Sequence, residues 1–407
     1  MLVLRRAVPA LVIIWTLAGP GVAADTGALT LEEALALARE RAPVVLAARA
    51  RVEEARGRLS GAAVRLGANP VLQAGIGRRN AAGEGSTDFE VELTQELGVA
   101  GRRRARIAGA EAAMLSEEAL AEEIERAHTL EVAEAFLRAL HAGERLRLSQ
   151  GSHDTAIRIA HAAERRFQAG DVAVLDVHVA QAARARALSE VNAWKAEEAA
   201  ALGALRVLLG ARPGESTAIR GDLGRVPAHD LSRLIVQAAD RPDLRALAAR
   251  IDQADAEVRL GRTFRRPGLE VGLRYEEEGN DEIAMGLLAV SLPVFDRGQG
   301  ASSEAVARAG RLRMEHESLR AGVEAEVRTA FEVHRQRVEA EAAIRTALPG
   351  LTESEQLAAR SYESGQIGLS ELMLLRRDLQ ETRIAHIDRQ LEAAVSGIRL
   401  EASAGVL

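Results

Sequence analysis

The chain has no cysteine. That excludes a disulfide framework, a thiolate metal site and a lipid-bearing amino-terminal cysteine. Aromatic residues make up only 2 % of it, so a core built on bulky rings is excluded too. Ala, Leu, Arg and Glu dominate instead, a composition that favours long helices packed side by side. A basic excess is also missing. Lys and Arg number 53 against 59 Asp and Glu, a formal charge of −6, so no nucleic-acid partner is expected. Beyond the first 24 residues there is no apolar run long enough for a membrane-spanning helix. Residues 1–24 read as a secretory signal peptide, with Arg5 and Arg6, an apolar stretch, and small residues ending at Ala24. An exported chain of this kind either floats or enters a membrane by strands.

Enzyme chemistry is equally absent. The nine histidines are scattered, with no close His-x-x-x-His pair near a third ligand. No nucleophile elbow, P-loop or zinc-protease motif occurs. The glycines of GIGRRNAAGEG lie between alternating segments rather than before a helix, which predicts a turn. No cofactor, resident metal or catalytic residue is expected.

What is present is a duplication. RAPVVLAARARVEEA from Arg41 is answered by RPDLRALAARIDQAD from Arg241, and NPVLQAGIG from Asn69 by RPGLEVGLR from Arg266. VELTQELGVAGR, ending at Arg102, matches LAVSLPVFDRGQ, ending at Gln299, and FQAGDVAVLDV from Phe167 matches YESGQIGLSEL from Tyr362. The offsets are about 199, 197, 197 and 195 residues, far above the period of solenoid repeats. Two domain-sized repeats are expected, 25–225 and 226–407.

Each repeat reads alike. Leu31, Ala38, Val45, Val52, Leu59 and Leu66 fall seven apart, a coiled-coil-like seam, with Pro43 opening a new helix. No proline falls between Pro70 and Pro213, so a helix from about Arg102 to Phe167 and another from about Asp171 to Gly210 can run unbroken. The second repeat predicts about 64 helical residues from Gly298 facing helices of about 21 and 39. The lengths fit one long helix covered by two shorter ones stacked end to end. Gly170 and Gly365 then become the distal tips of two long hairpins.

The opposite end carries strands. Phe89, Val91 and Leu93 alternate with acids, as do Leu269, Val271, Leu273 and Tyr275 with Glu270, Gly272 and Arg274. VLQAGIG alternates too, whereas EIAMGLLAVSL blurs the pattern at Leu288 and Val290. Polar turns are expected at RRNAAGEGST and EEEGND. Apolar-out, polar-in strands of about 9–11 residues are the signature of a transmembrane barrel, whose open edges lipid does not tolerate. Four strands cannot close one. A dimer would supply eight and a trimer twelve, and a lumen continuous with a helical tube favours three chains. Two soluble hairpins capping a periplasmic rod are the alternative, and the thin aromatic supply (Phe89, Phe264, Tyr275, Phe295) favours it.

With these marks the chain resembles the TolC-like outer-membrane efflux family over about residues 28–404. They are the TLEEALALARERAP opening, Pro70 before the first strand, QELGVAGRRRARIA after the second, and the paired tip phrases. The resemblance implies a mainly α fold with long helical hairpins and four transmembrane strands per chain. These are completed as a 12-stranded barrel in a homotrimer, in the outer membrane of a Gram-negative bacterium. It also implies a periplasmic helical tunnel, a periplasmic adaptor and an inner-membrane RND-type pump. QELG and the glycine–arginine turn look most like the heavy-metal branch. A periplasmic coiled-coil structural or adaptor protein is the alternative function.

The resemblance also implies tip roles. In the family a tyrosine and an arginine tie neighbouring hairpins to an aspartate, and acidic rings narrow the pore. Tyr362 matches the tyrosine, Asp176 the aspartate and Glu371 one acidic ring. Ile367 stands where the arginine would be, and Leu374 where a second ring aspartate would be. Phe167 is the first repeat's counterpart of Tyr362. Asp176 and Glu371 read equally as carboxylates favoured at helix N-termini. Arg102, Arg103, Arg104 and Arg106 crowd a helix start, where cations are disfavoured. They read as contacts to outer-membrane lipid headgroups or as a solvated surface run.

Overall fold

The computed structural model describes residues 28–81, 84–212, 215, 217–224, 227–279 and 281–407. The expected signal peptide lies outside them. Among the described residues no helix is long and apolar enough to cross a membrane.

Helix α1 (Leu31–Arg41) starts at a capping box, in which Glu33 N–H donates to Thr30 Oγ1 at 3.3 Å and Thr30 N–H donates to Glu33 at 2.7 Å. Helix α2 (Pro43–Ala62) opens on its proline as predicted. Strands β1 (Val71–Ala81) and β2 (Glu84–Leu97) lead into α3 (Arg102–Gln168), whose 67 residues span about 100 Å at 1.5 Å per residue. Helix α4 (Val174–Leu208) returns along it. After the short α5 (Leu231–Ala238), the pattern repeats. It runs through α6 (Pro242–Thr263), β3 (Gly268–Glu278), β4 (Asp281–Ser291), α7 (Gln299–Arg345), α8 (Leu348–Glu363) and α9 (Leu369–Ser403).

The end-to-end stacking is visible at both joints. A Cβ added at Gly210, just past α4, would lie 2.8 Å from the Arg41 carbonyl before α2. At Gly405, just past α9, it would lie 3.0 Å from Arg241 before α6. Helix α3 packs on α2 and α4, and α7 on α6 and α9. The buried faces are rich in alanine, including Ala105, Ala112, Ala119, Ala133 and Ala142 of α3. Small side chains let the helices approach closely, which is how the chain manages with so few rings.

Both tips close with the same bonds. Gly170 N–H donates to Phe167 O at 2.9 Å and Asp171 N–H to Arg166 O at 2.8 Å. Gly365 N–H donates to Tyr362 O at 3.1 Å and Gln366 N–H to Ser361 O at 2.8 Å. This is the Schellman arrangement. It needs a left-handed residue, here Gly170 at φ +79° and Gly365 at φ +75°.

Four expectations change. The second long helix is broken, ending at Arg345 and restarting at Leu348. Pro349 has no N–H for the Arg345 carbonyl and its ring would clash there, so it sits instead in the first turn of α8. The polar turns shrink, because strand pairing continues to Ala81↔Glu84 and Glu278↔Asp281. Arg78 and Asn80 are therefore strand residues; alternation, not polarity, governs their place. Helix α4 begins at Val174 rather than about Asp171, after the tip bonds have used the intervening residues. Finally, the seam ends early. Ala38, Val45 and Val52 are buried, but Leu66 lies exposed beyond α2.

The strands form one antiparallel sheet in the order β1-β2-β3-β4. Its register puts Leu72, Ile76, Phe89, Leu93, Leu273, Tyr275 and Leu288 on a single face. That face is bare of protein: Leu72 and Leu288 are each 68 % exposed and Ile76 80 %.

Candidate functional site

The other face of the sheet is a charged wall. Asp88, Glu90 and Glu92 of β2 stand beside Glu276 and Arg274 of β3, with Glu96 opposite Glu270 and Glu278 opposite Asp281. Arg274 sits among these acids. It donates to Glu92 at 2.6 Å and lies 3.0 Å from Glu90. Opposed like charges would be costly in a dry interior, so this wall requires water against it. Strand β4 places Ile283, Met285 and Leu287 on the same side, which is why its sequence alternates poorly. The sparse aromatics mark two levels: Phe89 and Tyr275 lie toward the hairpin turns, and Phe295, 92 % exposed, toward the helices.

At the far end the two hairpins meet. Tyr362 is 2 % exposed in a cluster with Ile159, Ala163, Ala180, Leu369 and Leu372. Its hydroxyl is buried and has no hydrogen-bond partner among the described residues. Asp176 lies in the first turn of α4 and Glu371 in the first turn of α9, positions favourable to a carboxylate. Within the chain, then, the structure does not join Asp176 to the Tyr362 hydroxyl. Ile367 packs against the cluster, Leu374 is exposed, and Phe167 is 41 % exposed, unlike its buried counterpart. Sequence reading missed Arg166, whose guanidinium covers the Tyr362 ring with Cζ 5.1 Å from the centroid. Burial draws the Arg376 guanidinium below the usual arginine range. Glu355 opposes this, while Arg158 and Arg383 add to it. A groove of about 710 Å³ opens nearby between α4 and α9, lined by Ala183, Arg186, Glu190, Met373 and Gln380.

The arginine run sits where sheet turns into helix. Arg103 donates to the Ala63 carbonyl at 2.7 and 3.1 Å, placing a cation on the C-terminus of α2, where it is favourable. Arg102 stacks over Phe264 at 4.8 Å and lies 3.7 Å from Glu96. Arg106 lies against Gly67, and Arg104 is exposed. Most of the run thus fastens the strands to the helices.

A sequence profile described as outer membrane efflux protein matches residues 34–211 and 234–406. The chain belongs to the outer membrane efflux protein family. As a member it is a passive outer-membrane channel of an efflux system, with its strands in the membrane and its helices in the periplasm. This sets aside the soluble structural or adaptor protein. The cobalt-zinc-cadmium resistance protein CzcC of Cupriavidus metallidurans is 29 % identical over 365 residues, covering 89 % of this chain and 86 % of that one. Among solved structures, the outer-membrane channel OprN matches with TM-score 0.77 at 21 % identity, covering 92 % of this chain and 89 % of that chain. CusC, solved in a study of transmembrane channel formation, matches with TM-score 0.76 at 19 % identity, covering 92 % of each chain. These likenesses are of fold. The family's efflux proteins have this mainly helical architecture with a small antiparallel sheet, as the sequence predicts.

Proposed function

We propose that three copies of the chain, each contributing two structural repeats (25–225 and 226–407), close a 12-stranded barrel that conducts divalent metal cations outward. The carrying observation is the two-faced sheet. One face is apolar and bare, the other acidic and in need of water, and the edge strands β1 and β4 are unpaired. Closing the edges with further copies turns the acidic faces onto one lumen and the apolar faces onto lipid. An acid-walled pore favours cations over anions. The likeness to a cobalt-zinc-cadmium resistance protein agrees with that charge. An adaptor docking along the α4–α9 groove and an inner-membrane RND-type pump would deliver the cations to the tips, where Asp176 and Glu371 add charge at the mouth. Arg104, free of the junction contacts, is the member of its run placed for lipid headgroups.

The test is complementation. A deletion strain should accumulate zinc, cobalt or cadmium, and the wild-type chain should restore efflux. A variant with Glu90, Glu270 and Glu276 changed to Gln should restore outer-membrane insertion but not efflux. Equal metal accumulation with and without the gene overturns the substrate class.

A further inference from the structure

We propose that Arg166 latches the two hairpin tips of one chain together, gripping the ring and backbone of Tyr362 rather than its hydroxyl. The functional consequence rests on reading the tips as the channel mouth; the latch itself rests on contacts within the chain.

Arg166 lies in the last turn of α3 on the first hairpin, and Tyr362 in the last turn of α8 on the second. The guanidinium lies over the ring with Cζ 5.1 Å from its centroid, and Nη1 donates to the Tyr362 carbonyl at 3.4 Å. That carbonyl is the one the tip turn already uses, accepting Gly365 N–H at 3.1 Å. It belongs to the C-terminal turn of a helix, whose partial negative charge attracts a cation. The ring face attracts it as well. Meanwhile the carbonyl of Arg166 accepts Asp171 N–H at 2.8 Å, so the same residue closes its own turn and reaches across to the other.

The hydroxyl takes no part. Tyr362 Oη is buried without a hydrogen-bond partner among the described residues. Arg166 meets Tyr362 at the ring face and the backbone carbonyl, not at the phenol. The duplication sharpens the assignment. Shifting Arg166 by the tip offset, from Gly170 to Gly365, lands on Ser361, and shifting Tyr362 back lands on Phe167. Ser361 has no cation to offer, and Phe167 is 41 % exposed. Among the described residues the pair is therefore not repeated at its duplicated positions, Ser361 and Phe167.

The absence of native cysteine permits a direct test. Asp171→Cys and Glu363→Cys, both exposed, are spin-labelled in the full-length detergent-solubilised protein, and the tip-to-tip distance distribution is measured by pulsed electron resonance. Arg166→Ala should raise the separated population roughly five- to thirtyfold, the range expected for losing one partly desolvated cation–π contact. Tyr362→Leu should act alike, Arg166→Lys should fall between, and Tyr362→Phe should leave the distribution unchanged. Circular dichroism on each variant confirms that the helices remain. An unchanged distribution in Arg166→Ala overturns the latch, and so does a Tyr362→Phe variant that separates as far as Arg166→Ala. Planar-bilayer conductance of the same variants is read alongside. Separated labels with unaltered conductance uphold the latch and remove the mouth reading.

Discussion

Arg241 makes the sharpest stability test in the chain. Its side chain is 7 % exposed at the joint where α9 ends and α6 begins. It donates to both Asp243 oxygens at 3.2 and 2.7 Å, to Glu326 of α7 at 2.8 Å, and to the Ser403 carbonyl at 2.9 Å. Asp243 is in turn held by Leu244 N–H at 2.9 Å. Burial alone would pull this guanidinium down, but the hydrogen bonds of Asp243 and Glu326 more than offset it, so it stays charged. Breaking a buried pair costs about 3–5 kcal/mol. Glu326 is 55 % exposed, so its share counts as a surface bridge of about 0–1 kcal/mol. Arg241→Ala should therefore cost about 3 kcal/mol, Arg241→Lys about half that because the fork is lost, and Glu326→Gln under about 1 kcal/mol. The duplicated position is Ala42, fully buried, so the first repeat makes the corresponding joint without a buried guanidinium there. Thermal melts of the detergent-solubilised protein followed at 222 nm (the standard helix signal) rank the variants. If Arg241→Ala melted together with Glu326→Gln, the joint would not depend on the buried ion pairs and the reasoning would fail.

Two further outcomes follow from the same contacts. Gly298→Ala should destabilise more than Gly101→Ala, though both glycines have positive φ and precede a long helix. An added Cβ would meet Gly261 O at 2.6 Å and Phe264 Cβ at 2.8 Å in the first case, but nothing nearer than 3.4 Å in the second. Paired melts should show a gap worth about 1–3 kcal/mol, and equal melts would refute the clash. Stability should also fall as pH drops below about 6.5, because burial first, and the nearby His229 second, hold His334 below its ordinary value. A depressed histidine makes the unfolded state bind more protons, so stability is lost as pH falls through that window. His334→Gln should flatten the slope of melting temperature between pH 7.5 and 5.5, and an unchanged slope would acquit His334.

Much of the architecture was legible because it rests on local rules applied twice. The matched glycines at 101 and 298, 170 and 365, and 210 and 405 all have positive φ, so their spacing in the sequence is the spacing of the turns. The alternation of β2 and β3 set the sheet faces in advance. Pro349 marks the break after α7 by the same rule by which Pro43 marks the start of α2. What no local pattern revealed was the tip. Arg166 and Tyr362 lie on different hairpins, and their contact arises only from packing over 196 residues of chain. Likewise the arginine run looked misplaced at a helix start until Arg103 was seen on the end of α2. A sequence rule about one helix cannot see the terminus of another. The acidic wall was readable strand by strand, but its continuity across β2 and β3 follows from register, which the sequence left open.

The reversal potential under a salt gradient across a planar bilayer tests the central claim, that the acidic sheet face lines the conducting path. The wild-type chain is predicted to give a cation-selective potential. Replacing Glu90, Glu270 and Glu276 with Gln should move it toward zero without abolishing conductance. An anion-selective wild type, or a triple variant with unchanged selectivity, would contradict the account.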